Sequence, residues 1–425
     1  MDSVKSDGNI IHRIICSVTK QIKKGQGFAL PLLLFLVLPF YQLPGAEPSM
    51  NNPIMRVAQL QWFQLMTVLS FCLTFQKYKG SSYFCPFRWL VVLALSQLIW
   101  ASAFPGMLSQ ISTLILAFVF FEVCVRSRIS FHAFRWSILF LFLVTLIYSV
   151  RQQFDIRGIW FLPDYLVSDR SRIGGDVIVS GIWIVQAFCA SFIAICVPLF
   201  WTWETRSKLF RALLLIACFA LLWITNSSFA RVAALLGILW VLLIRYPKRF
   251  LLYLVPVMLG GLLWCFYFDL GDLSSVVQRQ AIWDATWNAS LSRPILGHGF
   301  GYFFTFGAVT SMTQIGYMNS FYGQAHNELL QLFFEAGSIG VLIGLWIILR
   351  IVWIAFKHKS DSMICGLSAC LITAICVSMG QPIFHTVNIA VLSVMLYGLF
   401  ESRYNQLNEV KYADSLQWAA TEKSS

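Results

Sequence analysis

The sequence predicts an all-α, polytopic membrane protein with about twelve transmembrane helices and a large late periplasmic loop. Hydrophobic residues make up 58% of the 425 residues and charged residues only 12%, which is about half the charged fraction of a soluble domain. The apolar residues form long runs close to the ~20 residues that a helix needs to cross a bilayer. Lys and Arg gather in alternate segments between these runs, as the positive-inside rule predicts. Intrinsic disorder, a disulfide scaffold and a nucleic-acid-binding module are excluded as the main architecture.

Twelve apolar runs predict the transmembrane helices, because a backbone in lipid must satisfy its hydrogen bonds within a helix. The runs cover residues 27–43, 57–76, 89–104, 107–125, 134–150, 177–201, 209–225, 229–244, 250–268, 329–356, 362–380 and 386–400. A cleaved signal peptide is the alternative for the first run. That run contains Pro31 and Pro39 and follows a long basic leader, which favours a retained helix. The whole chain, 1–425, is interpreted as a single membrane domain.

The positive charges predict the orientation of the chain. With both termini in the cytoplasm, 23 of the 31 Lys and Arg residues fall in cytoplasmic segments, as expected for the bacterial inner membrane. The remaining eight are all arginine: Arg56, Arg151, Arg157, Arg170, Arg172, Arg231, Arg279 and Arg293. Arginine grips phosphate through two parallel hydrogen bonds and stays charged when partly desolvated. This set therefore favours an anionic ligand at the outer face, unless translocated loops simply exclude lysine.

Two predicted outer segments are long enough to hold a site. They cover about residues 151–176 and 269–328, and the second is the major periplasmic loop. Within it, VVQRQAIWDATW has helix-like spacing of apolar residues and predicts a helix on the membrane surface. The cytoplasmic tail after Glu401 is expected to be poorly ordered.

One histidine stands out at the start of the tenth run. His326 and Asn327 lie where a helix begins, and the positive end of a helix favours anions. From position alone, His326 is either a polar residue facing water or a functional group. Gly337 and Gly340 follow in the same helix and predict close helix packing.

The remaining motifs predict no metal and no cofactor. The segment GHGFG at 297–301 lacks the strand and the spacing of a dinucleotide site. It predicts a tight turn, either a plain loop or a place where the backbone approaches a ligand. The acidic residues of the outer face are scattered and form no DxD pair. The eleven cysteines lie in apolar runs without a CxxC motif, which indicates neither a disulfide framework nor a zinc site.

Several motifs occur in a fixed order in the second half of the chain. His326-Asn327 is followed after nine residues by Gly337 and after two more by Gly340. Arg279 and the segment PILGHGFG precede this pattern, and ITNSSFARVAALLGILW comes before them. This order over residues 210–350 resembles the O-antigen ligase family, and it fits the twelve-helix layout. Earlier in the chain, Arg172 is accompanied by Gly174 and Gly175, which resembles an Arg-Gly stretch of the same family.

The resemblance implies a glycosyltransferase at the periplasmic face. Such enzymes transfer a glycan from undecaprenyl pyrophosphate to a lipid A-core acceptor, while relatives polymerise O-units or glycosylate proteins. The implied reaction needs no metal and inverts the anomeric carbon. The catalytic residues are expected to be His326 as the general base, with Arg279 and Arg231 stabilising the leaving diphosphate. The substrate-binding residues are expected to be Arg172, Asn327, Arg170, Arg293 and Gly299.

Two alternative interpretations remain open. An O-antigen polymerase or a protein O-oligosaccharyltransferase of the same superfamily would use similar donor chemistry and a different acceptor. A twelve-span transporter is the alternative from another class, but transporters place polar sites near the midplane. In this chain the polar residues gather in one external loop, which favours surface chemistry. The expected partners are the lipid-linked donor, a glycan acceptor and membrane lipids, with no nucleic acid.

Overall fold

The computed structural model describes residues 85–99, 104–127, 131–154, 156, 179, 186–204, 207–225, 227–249, 254, 256, 273–303, 325–381 and 387–422. The described elements are all helical. Ten α-helices are α1 Pro86–Ser96, α2 Phe104–Ser127, α3 Phe131–Gln153, α4 Gln186–Trp201, α5 Lys208–Ile224, α6 Ser228–Arg245, α7 Leu273–Ser290, α8 Glu328–Lys357, α9 Ser362–Ser378 and α10 Val387–Glu422. Short 3₁₀ turns cover Gln97–Ile99 and Pro247–Arg249. The predicted all-α class is therefore confirmed for the described part.

Nine of the twelve predicted runs coincide with helices. Runs 27–43 and 57–76 lie outside the described residues, and run 250–268 is described only at residues 254 and 256. Three described helices are long and apolar enough to cross a membrane: Phe134–Gln153, Ser228–Arg245 and Glu328–Lys357. Shorter apolar helices cover Pro86–Ile99, Gln186–Trp201 and Ser362–Ser378. The twelve-span count and the position of the late loop relative to a membrane stay predictions.

Helices α4, α6 and α9 pack against one another and form the centre of the bundle. Every residue of α4 from Cys189 to Phe200 is buried. The close approach of the three helices depends on Gly237 of α6. A Cβ atom at this position would lie 2.1 Å from the Thr373 hydroxyl and 3.2 Å from the Pro198 ring. The eight described cysteines are free, and seven of them are buried, so they act as the small apolar residues that the sequence indicates.

Ion pairs fasten the C-terminal helix α10 to α8 and α9. Arg350 Nε donates to Glu401 Oε1 at 2.6 Å, and its Nη2 donates to Oε2 at 2.8 Å. Arg403 Nη2 donates to Asp361 Oδ2 at 2.6 Å. Helix α10 continues through these contacts to Glu422. The structure therefore differs from the expectation of a poorly ordered tail after Glu401: the chain continues as helix, and the ion pairs fasten the beginning of this extension.

The described cations separate to the two ends of the bundle. The contacts of α6 and α8 place their N-termini at one end, called here the His326 end, and their C-termini with Arg245 and Arg350 at the opposite end. Arg231 and Arg279, both predicted to face outward, lie at the His326 end. Which compartment each end faces stays a prediction.

Candidate active site

Helix α8 is broken at Gly337, and this break organises the site. Gly337 has φ 65° and ψ −165°, which is non-helical. Such a break frees two carbonyl and two N–H groups, and a segment inside a protein must satisfy them. The PILGHGFG loop does so. His298 N and Gly299 N donate to the Phe334 and Glu335 carbonyls at 2.9 Å, and Ser338 N and Ile339 N donate to the Pro294 and Ile295 carbonyls at 2.8 and 3.4 Å.

Two glycines make this exchange sterically possible. A Cβ atom at Gly297 would lie 2.4 Å from the Glu335 carbonyl, and one at Gly337 would lie 2.2 Å from the Ile295 carbonyl oxygen. Both residues have positive φ, which glycine adopts without strain. The structure thus differs from the expectation of close helix packing at Gly337. This glycine ends one half-helix and admits the backbone of a loop.

His326 lies immediately before the first half of α8. Its φ of 52° makes it the one described non-glycine residue with positive φ. The next residue, Asn327, is the N-cap of α8, and its Oδ1 accepts from Leu330 N at 3.0 Å. Asn327 therefore caps helix α8, and its contact with substrate stays a prediction. Non-glycine residues with positive φ cost of order 1–3 kcal/mol and cluster at functional sites.

Arg279 of α7 is held beside His326. One helical turn further along α7, Trp283 Nε1 donates to the Ala325 carbonyl at 3.0 Å, and this anchors α7 to the residue that precedes His326. Burial, followed by the positive charge of Arg279, lowers the pKa of His326 from 6.5 to about 4, with Glu328 opposing weakly. The imidazole is therefore neutral at neutral pH and can accept a proton.

Arg279 also reaches the start of helix α6. Its Cζ atom lies 5.0 Å from the centre of the Phe229 ring, a cation–π geometry. Phe229 in turn lies against Gly380, where a Cβ atom would be only 2.2 Å from the ring. Arg231 follows Phe229 by two residues in the first turn of α6 and is 4% exposed. Arg279 thus contacts the helical turn that also carries Arg231, and it acts electrostatically on His326.

A polar network supports this side of the site. Gln381 Nε2 donates to the Ser227 hydroxyl at 2.8 Å, and Ser191 donates to Gln381 Oε1 at 2.8 Å. Ser227 is the N-cap of α6 and precedes Phe229 and Arg231. The network fixes the entry to α6 and hence the turn that carries Arg231.

The other predicted binding residues fall in different places. Arg293 lies exposed in the loop after α7. Gly299 is buried and uses its N–H for the Glu335 carbonyl, so its visible role is to support the break in α8. Arg170 and Arg172 lie outside the described residues. Substrate contacts of all four stay predictions.

A second imidazole at this end, His298, has a structural environment. Its ring stacks on Phe334 and Tyr302, with centroids 4.6 and 5.5 Å apart. His298 Nε2 lies 3.1 Å from the Ala289 carbonyl oxygen, so this nitrogen must be the donor. These contacts use the ring to join the loop to α7 and α8.

We expect the acid limb of kcat/KM to report the pKa of His326, because a base is lost as the pH falls through its pKa. In the unaltered protein this limb should lie near pH 4. Arg279→Gln removes a neighbouring positive charge, so the pKa should rise and the limb should move to higher pH. The measurement is a pH–rate profile of glycan transfer from about pH 3 to about pH 8, a range that includes both the lowered and the ordinary pKa of the imidazole.

Arg279→Lys is the matched control. It keeps the positive charge, so the acid limb should stay near its original position, while loss of the planar guanidinium should raise the donor KM. An unmoved limb in Arg279→Gln, or an equal movement in both variants, contradicts the coupling of Arg279 to His326.

Sequence reasoning missed the residues that support the catalytic candidates. Trp283 had a usable signal, because four residues separate it from Arg279 and place both on one helix face. Gln331 and Glu335 have the same spacing in α8. Gln97 carries no local signal, although its side chain donates to the Glu335 carbonyl at 3.0 Å and accepts from Phe300 N at 2.8 Å.

The described part is helical, three of its helices are long and apolar enough to cross a membrane, and its polar site sets the His326 imidazole near the guanidinium of Arg279. Residues 212–345 match the family model described as O-Antigen ligase. This match confirms, for the matched segment, the resemblance to the O-antigen ligase and polymerase superfamily. The matched segment covers about a third of the chain and contains Arg231, Arg279, His326 and the break in α8. No curated protein matches the chain.

Proposed function

We propose that the protein transfers an O-antigen glycan from undecaprenyl pyrophosphate to a lipid A-core acceptor at the periplasmic face of the inner membrane. The observation that carries this proposal is the position of Arg279. It contacts the first turn of α6 through Phe229 and also acts electrostatically on His326. A site that holds guanidinium groups beside a neutral imidazole suits an anionic leaving group and a hydroxyl nucleophile.

The donor diphosphate binds to Arg279 and Arg231 in this proposal. Both belong to the matched segment and come from helices that meet at the His326 end. Arginine pairs bidentately with phosphate oxygens, and Arg231 is nearly inaccessible to solvent. A charge in such surroundings acts on a bound anion with less screening than a surface charge.

The chemical step is an inverting displacement. The acceptor hydroxyl donates its proton to a ring nitrogen of His326 while its oxygen attacks the anomeric carbon from the face opposite the leaving group. The bond between that carbon and the phosphate oxygen breaks, and both of its electrons go to undecaprenyl pyrophosphate. Arg279 and Arg231 stabilise the added negative charge, an effect worth about 10²–10³ in kcat for one preorganised donor.

The break in α8 supports a location near the membrane surface. The second half-helix, Ser338–Lys357, has twenty residues and is about 30 Å long, enough to cross the hydrocarbon layer. The first half, Glu328–Ala336, then carries His326 beyond the hydrocarbon, at the level expected for the diphosphate of a lipid-linked donor.

Reconstitution of the purified protein with defined substrates tests the function. The assay contains an undecaprenyl-pyrophosphate glycan with or without lipid A-core, and the products are identified by mass. A glycan on lipid A-core supports ligation. A longer glycan that remains on undecaprenyl pyrophosphate indicates the polymerase instead. Transfer to neither acceptor, from protein that is folded and inserted, contradicts a glycosyltransferase of either kind.

We also expect transfer to continue in the presence of EDTA. In this mechanism Arg279 and Arg231 supply the positive charge at the leaving group, so no divalent cation is needed. The measurement is the initial rate of transfer with EDTA, with EDTA plus excess magnesium as the control. Strict dependence on added magnesium contradicts the mechanism, and the metal-independence predicted from the sequence with it.

A further inference from the structure

Ala325, the residue before His326, forms hydrogen bonds to side chains through both its backbone N–H and its carbonyl group. Ala325 N donates to Gln331 Oε1 at 3.1 Å, and the Ala325 carbonyl accepts from Trp283 Nε1 at 3.0 Å. Ala325 is fully buried. The Ala325 carbonyl belongs to the peptide group that joins Ala325 to His326. Trp283 of α7 and Gln331 of α8 therefore fix the orientation of the backbone immediately before the histidine.

The Gln331 side chain has only one suitable orientation. Its Nε2 faces Glu335 Oε1 at 3.4 Å, and Gly301 N donates to the same oxygen at 3.2 Å. A carboxylate only accepts hydrogen bonds, so the amide must present its nitrogen to Glu335 and its oxygen to Ala325 N. Gln331 and Glu335 are 2% and 3% exposed, so water has little access to replace these contacts.

These hydrogen bonds lie next to His326, the one described non-glycine residue with a strained backbone conformation. His326 has a positive φ, and the Asn327 cap fixes the chain on its other side. A non-glycine residue keeps such a conformation only where its surroundings impose it. Without the bond from Ala325 to Gln331, the chain before His326 would be free to relax, and the imidazole would change direction.

We infer that Gln331 is a positioning residue, which aims the His326 imidazole at the acceptor hydroxyl by holding the Ala325 peptide, with Glu335 orienting its amide. This inference rests on the proposed function, in which His326 is the base. Gln331 itself touches no substrate. A displacement of about 1 Å at a reacting group can cost on the order of 10²-fold in rate, so a small relaxation of this backbone is sufficient for a large effect.

Gln331→Met tests the inference, because it keeps the length of the side chain and removes both hydrogen bonds. We expect kcat to fall about 10- to 100-fold, with the donor KM nearly unchanged. The acid limb of kcat/KM should move to higher pH as the imidazole gains access to water. Gln406→Met is the matched control, since Gln406 contacts Arg403 far from the site, and it should retain full activity.

Exchanging the side chains at positions 331 and 335 is expected to restore the activity that Gln331→Met loses. Gln331→Glu combined with Glu335→Gln keeps the net charge. It also keeps an acceptor for Ala325 N, an acceptor for Gly301 N and a donor–acceptor contact between positions 331 and 335. We expect the double variant to recover most of the kcat lost in Gln331→Met. A purely structural need for the native pair predicts no recovery, and that result overturns the inference.

Trp283→Phe keeps the test valid if Gln331→Met does not fold. It removes only the N–H that donates to the Ala325 carbonyl, and it should lower kcat more than it changes the donor KM. A kcat equal to that of the unaltered protein in folded Gln331→Met or in Trp283→Phe overturns the inference. If His326 proves dispensable, the proposed function fails as well; if only the Gln331 and Trp283 variants are fully active, the inference alone fails.

Discussion

Replacing His326 with glycine is expected to reduce kcat for glycan transfer by about 10²–10⁴-fold, the usual contribution of a general base. Glycine suits the test because it adopts the positive φ of this position without strain. The backbone, the Asn327 cap and the Ala325 contacts should therefore persist. The measurement is the single-turnover rate with saturating lipid-linked donor, together with the melting temperature in detergent.

His326→Ala provides the comparison. Alanine lacks the imidazole and keeps the strain, so its melting temperature should be no higher than that of His326→Gly, while both variants lose transfer equally. Added imidazole should restore part of the activity of the glycine variant. Transfer near the original rate in a folded His326→Gly protein rules out this histidine as the base.

Gly337→Ala is expected to have the largest effect on stability. Gly337 has φ 65° and ψ −165°, a region that is essentially restricted to glycine and costs other residues of order 1–3 kcal/mol. The added Cβ would also lie 2.2 Å from the Ile295 carbonyl oxygen. The PILGHGFG loop would have to leave the break, and α8 would lose the loop's hydrogen bonds to the Phe334 and Glu335 carbonyls and to the N–H groups of Ser338 and Ile339. We expect a lower melting temperature and a loss of transfer activity.

Gly344→Ala in the second half of α8 is the control. Among the residues that the structure describes, a Cβ atom there would meet only the Leu332 side chain, at 3.1 Å, and alanine favours a helix over glycine. Its melting temperature should stay close to that of the unaltered protein. An equally stable Gly337→Ala protein contradicts the importance of the break.

The helical class and the catalytic candidates could be predicted because their signals are local. A run of apolar residues long enough to cross a bilayer predicts a helix from its own composition. His326, Asn327 and Gly337 keep a fixed spacing within one segment, and the resemblance that they carry is confirmed by the family match. The helix α7 was likewise predicted from its apolar spacing and is present at Leu273–Ser290.

The role of Gly337 could not be predicted in the same way. A glycine inside an apolar run usually permits close helix packing, and the sequence gives no sign that a loop forty residues earlier enters the helix. Gly297 and Gly337 acquire their roles only together, because each leaves room for the backbone beside the other.

By itself, the sequence determined that this chain is rich in apolar helices and that residues 212–345 resemble the O-antigen ligase family, with arginine and histidine as the reactive candidates. Only the tertiary structure decided how these candidates are held. Phe229 supports Arg279, Gln331 and Trp283 hold Ala325, and Gln97 contacts Glu335 across 238 residues of chain. Hydrogen bonds and steric contacts act over a few ångströms in space, so residues distant in sequence form them without leaving a periodic signal in the chain.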